Sequence, residues 1–136
     1  MSSLGEIVDI VDAHEHLDVV FEWFGIDWKH FEGLVLTRPN TKVLNLVNAD
    51  CEPCERPEPV AIGIPFLRVK MSYPKLTTSG VYFIGRFATR NFIDLDRDRA
   101  DAYFKRQRVL LSDDDIAECH PRGGYVIIRC EGWTIG

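Results

Sequence analysis

The glycine-punctuated second half constrains this chain most. Gly80-Val-Tyr-Phe-Ile-Gly85-Arg86-Phe87 opens it, and Gly123-Gly-Tyr-Val-Ile-Ile-Arg-Cys-Glu-Gly-Trp-Thr-Ile-Gly136 closes it. Both runs are rich in Val, Ile, Tyr and Phe. That composition predicts strands whose glycines mark bulges, bends or close backbone approach. Between them, Asp94 to Arg108 is polar and heavily charged and reads as a helix. Val109-Leu110-Leu111 reads as a short strand or the edge of one. Ser112 reads as the cap of a turn or short helix.

The first half has a different texture. Leu4 to Phe24 carries a broad apolar face, with Glu6, Asp9, Asp12, Glu15, Asp18 and Glu22 spaced at three or four residues on the other side. This predicts one helix, started by Ser2 or Ser3 and ended by Gly25. Asp27 is placed to cap a short turn to Phe31. Gly33–Thr37 and Lys42–Val47 read as two strands, joined by turn chemistry at Arg38-Pro-Asn-Thr41 into a hairpin. Asn48 to Pro59 holds three prolines and reads as a loop. It divides the chain into an N-terminal helix and hairpin segment, 1–59, and a second unit, 60–136. An almost unbroken apolar stretch, Val60 to Val69, opens the second unit.

The order of the second half carries a resemblance. Glycine, an apolar run and glycine come first, then Phe92, then a helix, then Gly-Tyr-Val-Ile-Ile-Arg and Gly-Trp-Thr-Ile-Gly. From about Pro65 to Gly136 this resembles a PUA-like RNA-binding domain, most closely the version at the C-terminal end of RsmF-type rRNA cytosine methyltransferases. The resemblance implies an α+β fold: an N-terminal helix and β-hairpin packed on a small PUA-like mixed β-barrel. It implies RNA near Gly80, Gly85 and Arg86, and an apolar anchor at Phe92. Gly124, Gly132 and Gly136 match glycines of the closing strands. The methyltransferase domain with its catalytic cysteines has no counterpart here, so the resemblance brings no catalysis. The acidic first half is similar in architecture to the segment that precedes PUA domains in ribosome-biogenesis proteins.

Charge is unevenly placed. Up to Pro65 there are four basic against twelve acidic side chains; after it there are twelve against nine. Such a molecule has one side fit to face an anion. The candidate RNA-binding residues are Lys70, Lys75, Gly80, Gly85, Arg86, Arg90, Lys105, Arg106 and Arg108. Arg68, Arg122, Tyr73, Tyr82 and Tyr103 complete the basic and aromatic set. RNA recognition needs such cations for phosphates and rings for bases. The expected partner is rRNA or tRNA, with an RNA-modifying enzyme beside it.

Other chemistries have thinner support. No phosphate-cradling or dinucleotide loop is present, so no cofactor is expected. Asp12-Ala-His14-Glu-His16 resembles the opening of metal-dependent amidohydrolases, but that family needs a barrel of about 250 residues. A small metal-dependent hydrolase using His14 and His16 is the competing enzyme reading. Cys51-Glu-Pro-Cys54 has zinc-knuckle spacing, with Cys119, His120 and Cys130 as further candidates. A protein-binding adaptor, docking through Trp23 and Phe24, is the remaining alternative. No apolar run approaches the ~20 residues of a membrane span. No signal peptide is read at the N-terminus, and a cytoplasmic location is expected.

Overall fold

The computed structural model describes residues 4–54, 56, 57, 59 and 61–136. Ser2 and Ser3, expected as caps, and Val60 lie outside them. The chain is a mixed α+β protein with two sheets. The first is antiparallel and holds β1 (Ile10–Val11), β2 (Leu34–Thr37), β3 (Val43–Asn48), β4 (Ile64–Arg68) and β5 (Lys75–Leu76), in that spatial order. The second holds β6 (Phe92–Leu95), β7 (Ile127–Cys130) and β8 (Trp133–Thr134). In it β6 and β7 run parallel, and β7 and β8 antiparallel.

The expected first helix is two helices separated by a strand. A short α1 (Leu4–Ile7) precedes β1, and α2 runs from Ala13 to Phe24. The β-branched pair Ile10-Val11 is taken by the sheet, opposite Thr37 and Leu36. Asp12 then restarts the helix: its carboxylate accepts from the His14 backbone N–H at 3.0 Å. Gly25 ends α2 in the left-handed region, φ 61°, as a C-terminal glycine does. Asp27 caps the turn Trp28–Phe31, and β2 and β3 form the expected hairpin. The proposed division at residue 59 falls between β3 and β4, which are neighbours in one sheet.

Gly80–Phe87, expected as a strand, is helical: α3 (Thr78–Ile84) runs into a tight turn, Gly85–Phe87. Thr77 decides this. Its hydroxyl accepts from the Gly80 N–H at 3.0 Å and donates to the Pro65 carbonyl at 2.7 Å. The cap outweighs the strand preference of Val81, Tyr82, Phe83 and Ile84. Gly80 and Ile84, four apart, are both buried. A Cβ on Gly80 would stand 2.5 Å from the Phe66 carbonyl oxygen, so only glycine lets α3 lie this close to β4.

The second helix is shorter than expected: Asp94 belongs to β6, and α4 spans Arg97–Phe104. Val109–Leu111 forms no strand, and the closing run pairs only from Ile127 onward. The larger of two hydrophobic clusters joins the two sheets; the smaller holds Ile93, Leu95 and Ala100. Leu17, Phe21 and Phe24 of α2 meet Leu36, Leu44, Phe66, Leu67, Ile84 and Ile127.

Asn91 is buried at the junction of the sheets, with a left-handed backbone, φ 54°. Its side chain donates to the Trp23 carbonyl at 2.6 Å and accepts from the His120 N–H at 2.7 Å. Asparagine tolerates that backbone and satisfies both groups at once.

Arg99 of α4 ties down the 112–115 turn. It donates to both Asp115 carboxylate oxygens, at 2.6 and 3.1 Å, and to Asp96 at 3.0 Å. The Ser112 N–H and hydroxyl donate to Asp115 at 2.7 and 2.9 Å. Arg99, then Ser112, holds the Asp115 carboxyl well below the usual carboxylate range. A carboxyl whose folded pKa is depressed stabilises the fold above its unfolded pKa and loses that contribution as pH falls. The melting temperature is therefore expected to drop as pH is lowered from about 5 to about 2. In Asp115→Asn the drop should be shallower and start from a lower plateau. An unchanged pH profile would show that the clamp adds nothing.

Candidate nucleic-acid interface

The ladder between β4 and β5 sets two cations side by side. Arg68 is directly opposite Lys75, and both are exposed. Directly opposed residues of an antiparallel pair share one face, and like charges placed so are destabilising. Among the described residues neither has a carboxylate within ion-pair distance. The Lys75 ammonium instead lies 4.6 Å from the centroid of the Tyr125 ring. Lys70 follows on the exposed bend after β4.

Lys75 stands at the rim of a cleft of about 630 Å³. Its floor is apolar and includes Val20, Phe24, Leu76 and Ile127. Trp23, Tyr73 and Tyr125 line it above the floor. Tyr73 is 75% exposed and Tyr125 50%. The Trp23 Nε1–H donates to the Tyr125 carbonyl at 2.9 Å, which fixes the indole in place. A Cβ on Gly124 would stand 2.6 Å from that indole, so the close approach of the 124–126 strap needs glycine there.

The periodicity of α2 makes its two flanks unlike. Val19, Val20 and Trp23 face the cleft. Asp18 and Glu22 line a second, open hollow on another flank, with Asp27 and Arg90. Residues three or four apart share a helix face, so the acidic and apolar stripes stay separate.

The other candidates are scattered over the molecule. Arg90 lies against the end of α2 and donates to the Glu22 carbonyl, as a cation near a helix C-terminus does. Gly80 and Gly85 are buried, Gly80 against Phe66 and Gly85 against Thr134. Arg86 is exposed, with its guanidinium 4.6 Å from the Phe87 ring centroid. Lys105 pairs with Asp101 at 2.8 Å at the end of α4, and Arg106 and Arg108 follow, exposed. Phe92, expected as an anchor before the helix, is half-buried in β6 with the Arg129 guanidinium 3.7 Å from its ring centroid.

Sequence reasoning missed Trp23 and Tyr125 as partners, because 102 positions separate them. It placed Arg68 in the basic set but not beside Lys75. The 73–79 stretch reads as a loop or short turn from sequence, whereas Lys75 stands on the two-residue strand β5.

The histidines of α2 are otherwise engaged. His14 bonds Asp18 at 2.9 Å and stacks on Trp28 at 3.9 Å. His16 lies 3.4 Å from the Arg38 guanidinium. The four cysteines are unpaired, and the Cys54 thiol donates to the Arg56 carbonyl at 2.9 Å. Burial, with Glu118 nearby, pushes the Cys119 thiol up. Among the described residues no three His, Cys, Asp or Glu side chains are grouped as a metal site requires. Among the described residues, too, no helix is long and apolar enough to cross a membrane.

Comparison with protein-family models, with curated proteins and with solved structures finds no match for this chain.

Proposed function

We propose that this chain is a non-catalytic RNA-binding module for structured rRNA or tRNA. It would act in the cytoplasm beside RNA modification or ribosome assembly. The observation that carries the reading is the Arg68–Lys75 pair. Two exposed, opposed cations, with no carboxylate beside them among the described residues, cost the fold something, and a phosphate between them would offset it. Exposed Tyr73 and Tyr125 stand beside them, as RNA recognition by stacking needs. The PUA resemblance of residues 65–136 points the same way. In this reading β4 to β8, with α3 and α4, make up the PUA-like barrel half, and residues 1–59 the segment before it.

The acidic flank of α2 repels phosphate, so RNA approaches from the Lys75 side. Few cations reach phosphates at once, and affinity is modest and salt-dependent. Two or three contacts predict a log–log salt slope of roughly −1.4 to −2.7. Fluorescence anisotropy with unfractionated tRNA and rRNA fragments, across a salt series, measures it. A flat salt response, or no binding, would overturn the reading.

The second reading is a protein-binding adaptor for an RNA-modifying enzyme, favoured by the exposed Val19 beside an apolar cleft. Crosslinking to RNA in cells separates the two. Background RNA recovery with a co-purifying enzyme would favour the adaptor.

A further inference from the structure

We propose that the cleft between α2 and the 124–126 strap holds one unpaired base of the bound RNA, with its neighbouring phosphate on Arg68 and Lys75. This rests on the RNA-binding reading above. Three observations carry it.

The first is wall chemistry. Trp23, Tyr73 and Tyr125 offer ring surface to a flat heterocycle, and Trp23 is held by its hydrogen bond to the Tyr125 carbonyl. A base presents a π-face to such rings whatever its identity. The second is size. About 630 Å³ lies within the range of small-ligand sites, and the floor is apolar. A base locked in a stacked duplex cannot enter, whereas a splayed loop base can.

The third is charge. Among the described residues no carboxylate side chain lines the cleft, although the chain is acidic overall and Asp18, Glu22 and Asp27 gather at the other hollow. Lys75 stands at one rim, with Arg68 opposite it across the β4–β5 ladder. An uncharged apolar group has no use for a cation; a nucleotide uses both rim and floor.

Three RNA probes test this: a hairpin with an unpaired loop of roughly seven nucleotides, the same hairpin with its loop bases removed, and a fully paired duplex. All carry comparable charge. The readouts are affinity and the NMR signal of the Trp23 indole N–H.

The intact hairpin should shift that signal and bind about 10-fold more tightly than the other two, in line with loss of one stacked base. Tyr125→Ala should remove the preference, and Tyr125→Phe, which keeps the ring, should retain it. Equal binding of all three RNAs with an unmoved Trp23 signal would overturn the base site and leave the RNA reading standing. Binding of none would overturn both. A Trp23 shift caused by an apolar peptide but not by RNA would give the cleft to a protein partner.

Discussion

Replacing Phe66 with Ala will lower the unfolding free energy by about 3–5 kcal/mol, the range for truncating a fully buried aromatic. Phe66 is completely buried in β4, with β3 on one side and β5 on the other. Its ring meets Phe83 of α3 edge-on, with centroids 6.5 Å apart. Its carbonyl accepts from the Thr77 N–H at 3.0 Å, and the Gly80 backbone closes over it. The core side chains around it are anchored on strands and a helix whose backbone cannot collapse into the gap, so the cavity term persists. For a chain of this size the melting temperature should fall by about 10–15 °C. Because the core runs from Leu17 to Ile127, the loss should appear as one cooperative transition. Urea denaturation followed by circular dichroism checks both statements. A loss under about 1 kcal/mol, or two separated transitions, would contradict this account of the core.

Lys75→Glu should weaken RNA binding by about 10- to 100-fold while leaving the fold about as stable as before. The affinity loss follows from removing one charge-assisted phosphate contact and adding a repulsive charge, with each such contact worth about 1–3 kcal/mol. Two changes of similar size set the stability: glutamate opposite Arg68 turns a like-charge pair into an attractive one, worth about 0.2–1 kcal/mol, while the Lys75 contact with the Tyr125 ring, worth about 0.5–1 kcal/mol, is lost. Arg68→Glu/Lys75→Glu should restore the repulsion, lose more affinity and flatten the salt slope further. Thermal melts and anisotropy on the same samples read both axes. Parallel loss of stability and binding would mean that Lys75 holds the fold rather than a ligand.

Much of the first half was legible because its signals are local. Asp27, Gly25 and the Arg38–Thr41 turn each act within a few residues, and each does what its chemistry predicts. The misreadings have two physical sources. At Val81–Ile84 capping prevailed over composition: β-preferring side chains sit in a helix started by Thr77. Around Ile10 and Val11, a run of helix-like spacing hid a two-residue strand that exists only because β2 is there to pair with it. Tertiary pairing overrode the local pattern in the second case, and a single hydroxyl decided the first.

The candidate site was legible only as a list of charges. Lys75 belonged to that list, but nothing near it in sequence announces Arg68 across the ladder or Tyr125 beneath its ammonium. Gly80 and Gly85 were read as places where backbone meets RNA. They are places where backbone meets Phe66 and Thr134. Glycine marks close approach in both cases, and the sequence does not say to what.

The hydrogen bond between Trp23 and the Tyr125 carbonyl spans 102 positions, and β6 cannot pair with β7 until Ile127 is available. During synthesis, α2 and the first sheet can assemble while the last part of the chain is still inside the ribosome. The cleft cannot, because its strap has not yet emerged. A nascent chain, or one cleaved in the exposed 105–111 segment and parted from its closing strands, therefore presents an acidic helix and a half-built wall. The cleft is thus completed late and all at once.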